Sequence, residues 1–387
     1  MRPDPTKGVV LPVRHFPSLI VALCVFLAFV VWAACSQPTP TPTPAPTATP
    51  TATATAAPDP TPTATPIPQP TPTPEPLLRL PHNVPGIVDP TNLGWPREVE
   101  GLNGVVSIPA KPERIITASV GHDEGVLALA PGDRLVAVGN ATKNETFSNV
   151  ASLVQGKPEV TRDPETIIAQ SPDVIVTSPF FPTEGIEALS RVGIPVVQTE
   201  LQHDPEARID NILLIGYILG EEERALEFAA EVRERYDALV AVTGAAQPRP
   251  RVLALTQYSD QLWVAGGNST EGGVITAAGG VNAAEEAGVE SNQPTSLEGV
   301  IAMNPDIIII PQPVEFGGED FRQSLLANAA LAEVPAVKNG AVHVVESKHA
   351  TTLSYWNILG AEELARLLWP NDLPPSESTP FSLPDSR

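Results

Sequence analysis

From Arg114 onward, short unbroken runs of apolar, largely β-branched residues alternate with segments whose apolar residues recur at helical spacing. The runs fall at 115–118, 135–138, 174–176 and 195–197, and again at 252–255, 262–264, 307–310 and 342–345. Continuous runs of this length, rather than strict alternation, predict strands of a mainly parallel sheet covered on both faces. Helices are expected between them at 121–130, 166–169, 184–191 and 274–278, with a closing helix at 354–369. The alternation breaks once. Asp204-Pro205 supplies a capping acid and a first-turn proline for a long helix that Gly220 ends, and Glu221-Glu222-Glu223 opens a second helix running to Gly244. The pattern therefore predicts two α/β lobes, 111–220 and 245–370, linked by one long helix at 221–244.

Upstream the pattern is different. Arg2, Lys7 and Arg14 precede a charge-free apolar run at 19–34 that ends in Ala33-Ala34-Cys35, which reads as an export signal. The Trp32-Ala33-Ala34-Cys35 stretch resembles a bacterial lipobox, with Trp32 where an aliphatic residue is usual, and the resemblance implies lipidation of Cys35. An uncleaved signal anchor is the alternative. From 36 to 76 the chain is almost entirely Thr, Pro and Ala, so the missing amide donors and fixed φ of proline preclude helix and sheet ladder. An extended tether of that composition holds a domain about 100 Å from its anchor. An irregular lead-in is expected at 77–110, with one edge strand near 105–108, and a disordered tail at 371–387.

Cys24 lies inside the signal, so the exported body carries no cysteine after Cys35, hence no internal disulfide and no thiolate chemistry. The formal net charge of -22 argues against a nucleic-acid partner.

The strongest signal is a repeat. Glu165-Thr-Ile-Ile-Ala-Gln-Ser-Pro-Asp-Val-Ile-Val matches Glu298-Gly-Val-Ile-Ala-Met-Asn-Pro-Asp-Ile-Ile-Ile at six of twelve positions, one copy per lobe. Each reads as a short helix with a glutamate at its start, a Pro-Asp turn and a buried strand. Two similar lobes leave a cleft between them, a preferred ligand site.

With this duplicated segment, the Pro112-Glu-Arg-Ile-Ile116 entry and Ala277-Ala-Gly-Gly-Val-Asn282, the chain resembles the solute-binding proteins of ABC importers for iron siderophores, haem and cobalamin. The resemblance implies two Rossmann-like lobes on a single helix, no intrinsic cofactor, no enzymatic activity, a single copy as the working unit, and a permease with its ATPase as partners. It also implies that Glu165 and Glu298 dock on permease arginines. Helix capping is the plainer role of the same two residues.

Ligands of open parallel sheets meet the loops at the carboxyl ends of strands. That rule selects Ser119, His122, Asp123, Phe180 and Phe181 in the first lobe. In the second it selects Tyr258, Trp263, Gln312, Phe316, Lys348, His349, Tyr355 and Trp356. The aromatics suit a large planar or greasy chelate, though any one of them could simply fill the lobe surface. His122 and His349, on loops expected to correspond, are candidate metal ligands. Few basic residues lie near these loops, which favours a neutral or zwitterionic ligand over a highly anionic catecholate. A secreted α/β enzyme and a stalked sensor or adhesion module are the rivals. The first lacks a Gly-x-Ser-x-Gly elbow, a His-Glu-x-x-His motif and a phosphate loop in this sequence.

Overall fold

The period-2 geometry of a strand sends alternate side chains to opposite faces, and a sheet can therefore bury two separate apolar layers. The structure, a computed structural model, describes residues 79–81, 83–200, 204–373 and 380–384. The signal, the tether and Cys35 lie outside the described residues.

The lead-in forms an antiparallel ribbon of β1 (Arg97–Gly101) and β2 (Gly104–Ile108), where sequence reading expected a single edge strand. The first lobe holds four parallel strands, β3 (Ile115–Ile116), β4 (Leu135–Ala137), β5 (Val174–Thr177) and β6 (Val196–Gln198), in the order β4-β3-β5-β6. The second lobe is built on β7 (Arg251–Tyr258), β8 (Gln261–Val264), β9 (Val281–Asn282), β10 (Gln293–Thr295), β11 (Ile307–Ile310) and β12 (Val342–Val344). Its order is β10-β8-β7-β11-β12, with β9 also paired to β7. The sheet is mixed: β8 folds back on β7 as a hairpin and pairs β10 antiparallel, while β9, β11 and β12 run parallel.

Alternation along these strands decides which core each residue joins. Val174 and Val176 of β5 and Val252 and Ala254 of β7 enter one large apolar cluster. Their neighbours Ile175, and Leu253 with Leu255, enter separate clusters on the far faces of the two sheets. The shared cluster also takes Phe228, Val232 and Leu239 from the linking helix Glu222–Thr243, so that helix is embedded in apolar contacts with both lobes rather than bridging them through solvent. The preceding helix, Pro205–Leu219, starts and ends as its residues dictate. Asp204 Oδ1 accepts the Ala207 amide at 3.0 Å, and Gly220 takes the left-handed conformation at φ 69° that a side chain would resist.

The repeat explains itself in the same terms. In the first copy Asp173 accepts the Arg114 amide at 3.0 Å and returns its own amide to the Arg114 carbonyl at 2.9 Å. In the second copy Asp306 accepts the Arg251 amide at 2.9 Å and returns its amide to the Arg251 carbonyl at 2.8 Å. Each Pro-Asp turn thereby fastens the helix-strand unit to the opening strand of its own lobe.

Two segments that sequence reading left irregular are anchored. Arg97 on β1 is 2% exposed and pairs with Glu222 at the start of the linking helix. It also donates to the carbonyls of Gly94, Leu93 and Tyr217, and its guanidinium lies over Trp95 at 4.2 Å and Tyr217 at 4.6 Å. The tail expected to be disordered from 371 includes Phe381, which is buried against Phe228, Tyr355 and Trp356 at centroid distances of 5.3, 5.0 and 5.4 Å. An aromatic ring with that much apolar area packs against Phe228 of the linking helix and the two aromatics that precede the helix Asn357–Leu368, contacts that the polar residues around it in the sequence conceal.

Candidate functional site

Glu165 and Glu298 occupy the same place in their repeats, the second residue of the helices Pro164–Ile168 and Leu297–Met303. Asp163 Oδ1 caps the first by accepting the Glu165 amide at 3.0 Å, and Ser296 Oγ caps the second through the Gly299 amide at 3.2 Å. Both glutamates are exposed. The Glu298 carboxyl is held below the usual range by its own backbone amide and by Ser296, which favours the charged form. Three residues along, the matching Ile168 and Ile301 are also exposed, at 37% and 41%. Each lobe thus presents the same charged and apolar pair to solvent.

Two of the first-lobe residues selected from sequence, His122 and Asp123, are corrected: they sit on the helix Val120–Leu129, whose first turns are buried rather than open to a cleft. Ser119 is its N-cap residue, partly buried, with Oγ at 3.0 Å from His122 Nδ1. His122 is fully buried, and its Nε2 is held at 2.8 Å from Thr199 Oγ1, so neither ring nitrogen is available to a metal. Burial lowers its pKa to about 3, keeping the ring neutral. Asp123 is buried between the hydroxyls of Thr117 and Thr142, each donating at 2.6 Å, and burial outweighs those bonds to raise its pKa to about 7. Phe181 is a core residue of the first lobe at 3% exposure, while Phe180 beside it is exposed. Strand-end position was a sound rule here, but it does not distinguish a loop from a helix that starts at once and turns its polar first turn inward.

In the second lobe Tyr355 and Trp356 are likewise corrected, being buried in the aromatic cluster around Phe228. His349 lies on the helix Ser347–Ala350, with Nδ1 at 2.8 Å from Glu363, and is not the counterpart of His122. Among the described residues no group of three or more His, Cys, Asp or Glu is placed to hold a metal ion. Next to these elements Glu124, the neighbour of Asp123, reaches across to the second lobe. Its carboxyl accepts Thr352 Oγ1 at 2.8 Å and Ser354 Oγ, and on the near side the Asn149 amide at 2.9 Å. Burial pushes the Glu124 carboxyl up, and these donors oppose the shift.

The remaining second-lobe candidates do come together. Tyr258, Gln312 and Phe316 line a cavity of about 580 Å³, and Tyr258 with Trp263 lines a smaller one of about 90 Å³ that adjoins it. Gln312 shapes the wall by accepting the Gln257 amide at 3.0 Å and donating to the Phe316 carbonyl at 2.5 Å. The first lobe contributes Phe147, which sequence reading missed. Its ring stacks on Phe316 with centroids 5.6 Å apart and planes 21° apart, so one aromatic from each lobe meets at the cavity. Its signal was present, a lone aromatic in the polar loop beyond β4, but eight residues separate it from the predicted strand end. Lys348 lines a third cavity, of about 1260 Å³, where Glu145 and Thr146 of the first lobe face Glu315 of the second. This cavity shares Pro313 and Ser347 with the one at Phe316.

Among the described residues the only charged side chain lining the cavity at Phe147 and Phe316 is Glu271, whose carboxyl burial pushes up toward the neutral form. A volume of this size lies within the range of about 300 to 1,000 Å³ typical of small-molecule sites. Aromatic anchors with few polar groups bind by stacking and area, and make no demand for an anionic ligand.

Known proteins give the same architecture. A cobalamin-binding protein of Halobacterium salinarum is 25% identical over 263 residues, 67% of this chain and 69% of its own length. The ferric enterobactin-binding periplasmic protein FepB of Escherichia coli is 22% identical over 274 residues, 65% of this chain and 84% of its own. The apo structure of the periplasmic heme-binding protein RhuT from Roseiflexus superposes with a TM-score of 0.59 at 24% identity, covering 66% of this chain and 98% of RhuT, a likeness of fold. The periplasmic binding protein family model matches residues 115–348, which includes both repeats, both sheets and the linking helix, and the chain belongs to that family.

Proposed function

We propose that this solute-binding protein captures a metal chelate between its lobes and delivers it to the permease of an ABC importer, held at the membrane through a lipid on Cys35. The observation that carries the reading is the pairing of Phe147 with Phe316 across the lobes, over a cavity whose lining among the described residues contains no Lys or Arg. A corrinoid fits that lining better than a ferric catecholate. The catecholate complex is strongly anionic and calls for cationic side chains, whereas a corrinoid offers a large apolar ring edge and neutral amides. The cobalamin-binding relative supports this choice, and the haem- and enterobactin-binding relatives support the wider chelate class.

The test is a titration of the intact chain with cyanocobalamin, haem and a ferric hydroxamate, followed by visible absorbance and tryptophan quenching. Micromolar or tighter binding is expected for cyanocobalamin and weaker binding for haem. Flat titrations with all three would overturn the chelate reading.

A further inference from the structure

Glu271 is the second residue of the helix Thr270–Ala277 and lines both the cavity at Phe316 and its smaller neighbour. It is 8% exposed. Among the described residues its carboxyl has no side-chain hydrogen bond and no cationic partner, and its own backbone amide favours the charged form. Tyr258 and Trp263 provide apolar surface beside it, while Thr256, Asn292 and Thr351 are its neutral polar neighbours in the wall. The carboxyl borders the cavity with acceptor capacity that a ligand donor can use.

We propose that Glu271 is a specificity-determining residue that reads a carboxamide of the bound ligand, its carboxyl accepting a hydrogen bond from the amide N–H. This rests on the chelate-capture reading and narrows it to amide-bearing ligands. The neutral polar wall around it, Thr256, Asn292 and Thr351, and the amide-bearing periphery of a corrinoid support an amide as the partner. A glutamine at this position keeps a carbonyl acceptor for that N–H, while an aliphatic residue does not.

The experiment compares the intact wild-type chain, Glu271→Gln and Glu271→Leu for binding of cyanocobalamin, whose periphery carries amides, and haem, whose periphery carries carboxylates. Circular dichroism and thermal melting verify that each variant is folded. The expected result is that Glu271→Gln keeps cyanocobalamin affinity within about threefold, while Glu271→Leu loses about 10- to 100-fold. Haem binding is expected to be weak and unchanged in all three. Equal cyanocobalamin affinity in Glu271→Leu and wild type would overturn the assignment and leave chelate capture standing. A large loss in Glu271→Gln would also overturn it, in favour of a cationic or metal contact. Binding of neither ligand by the wild type would remove the chelate reading itself.

Discussion

Glu165→Ala combined with Glu298→Ala is expected to abolish uptake of the ligand by cells while leaving its binding to the purified protein unchanged. The two glutamates are exposed, charged and matched by the repeat, and neither lines any of the three cavities between or beside the lobes. Charges at the edge of a docking surface set orientation and encounter rate, so a partner that must recognise both lobes at once loses two anchors together. Each single variant is expected to retain partial uptake. Loss of the acidic first-turn side chains costs each short helix only about 0.3 to 1 kcal/mol, too little to unfold a lobe. Uptake assays beside binding titrations separate the two roles: unimpaired uptake by the double variant would leave these residues as helix caps alone.

Arg97→Ala is expected to cause the largest loss of stability of any single substitution in the lead-in, about 3 to 5 kcal/mol, because it strands the buried Glu222 carboxylate. A loss of that size lowers the melting temperature by roughly 10 °C in a protein of this length. The same substitution removes the stacking on Trp95 and Tyr217 and frees the carbonyl of Tyr217. Replacing the pair together, Arg97→Met with Glu222→Leu, is expected to recover most of the loss, since no uncompensated charge is then buried. Thermal unfolding of the three variants decides the matter. A melting temperature within 2 °C or so of wild type for Arg97→Ala would mean that the ribbon is not fastened to the linking helix through this contact.

Much of the fold was legible because buried parallel strands announce themselves. The runs at 115, 174, 252 and 307 all became strands at those positions, and Asp204, Pro205 and Gly220 set the bounds of the first long helix as their chemistry requires. The β7–β8 hairpin was read only as two strands, since the turn at Ser259-Asp260 carries no glycine and Ser259 itself takes the positive φ of 55°. Arg97 and Phe381 were missed for another reason. Their partners Glu222 and Phe228 lie 125 and 153 positions away in the chain, and no local pattern reports a long-range contact.

The site was less legible than the scaffold. Position at a strand end found Tyr258, Trp263, Gln312 and Phe316, which line the cavities, but it selected His122, Asp123, Phe181, Tyr355 and Trp356 with equal force. In the latter group burial and hydrogen bonding hold the helix-start segments and the aromatic core together. Glu271 was passed over because an acid after Ser269-Thr270 reads as an ordinary first-turn residue, and only its burial among aromatic and neutral polar groups sets it apart.

Whether both lobes grip the ligand is read from the affinity of the intact chain for cyanocobalamin after Phe147→Ala in one lobe and Phe316→Ala in the other. Removing either ring from a stacked contact is expected to weaken binding by about tenfold or more, since each such contact is worth about 0.5 to 1.5 kcal/mol beyond its buried area. Wild-type affinity in both variants would place the ligand away from the lobe junction and rule out a grip by both lobes.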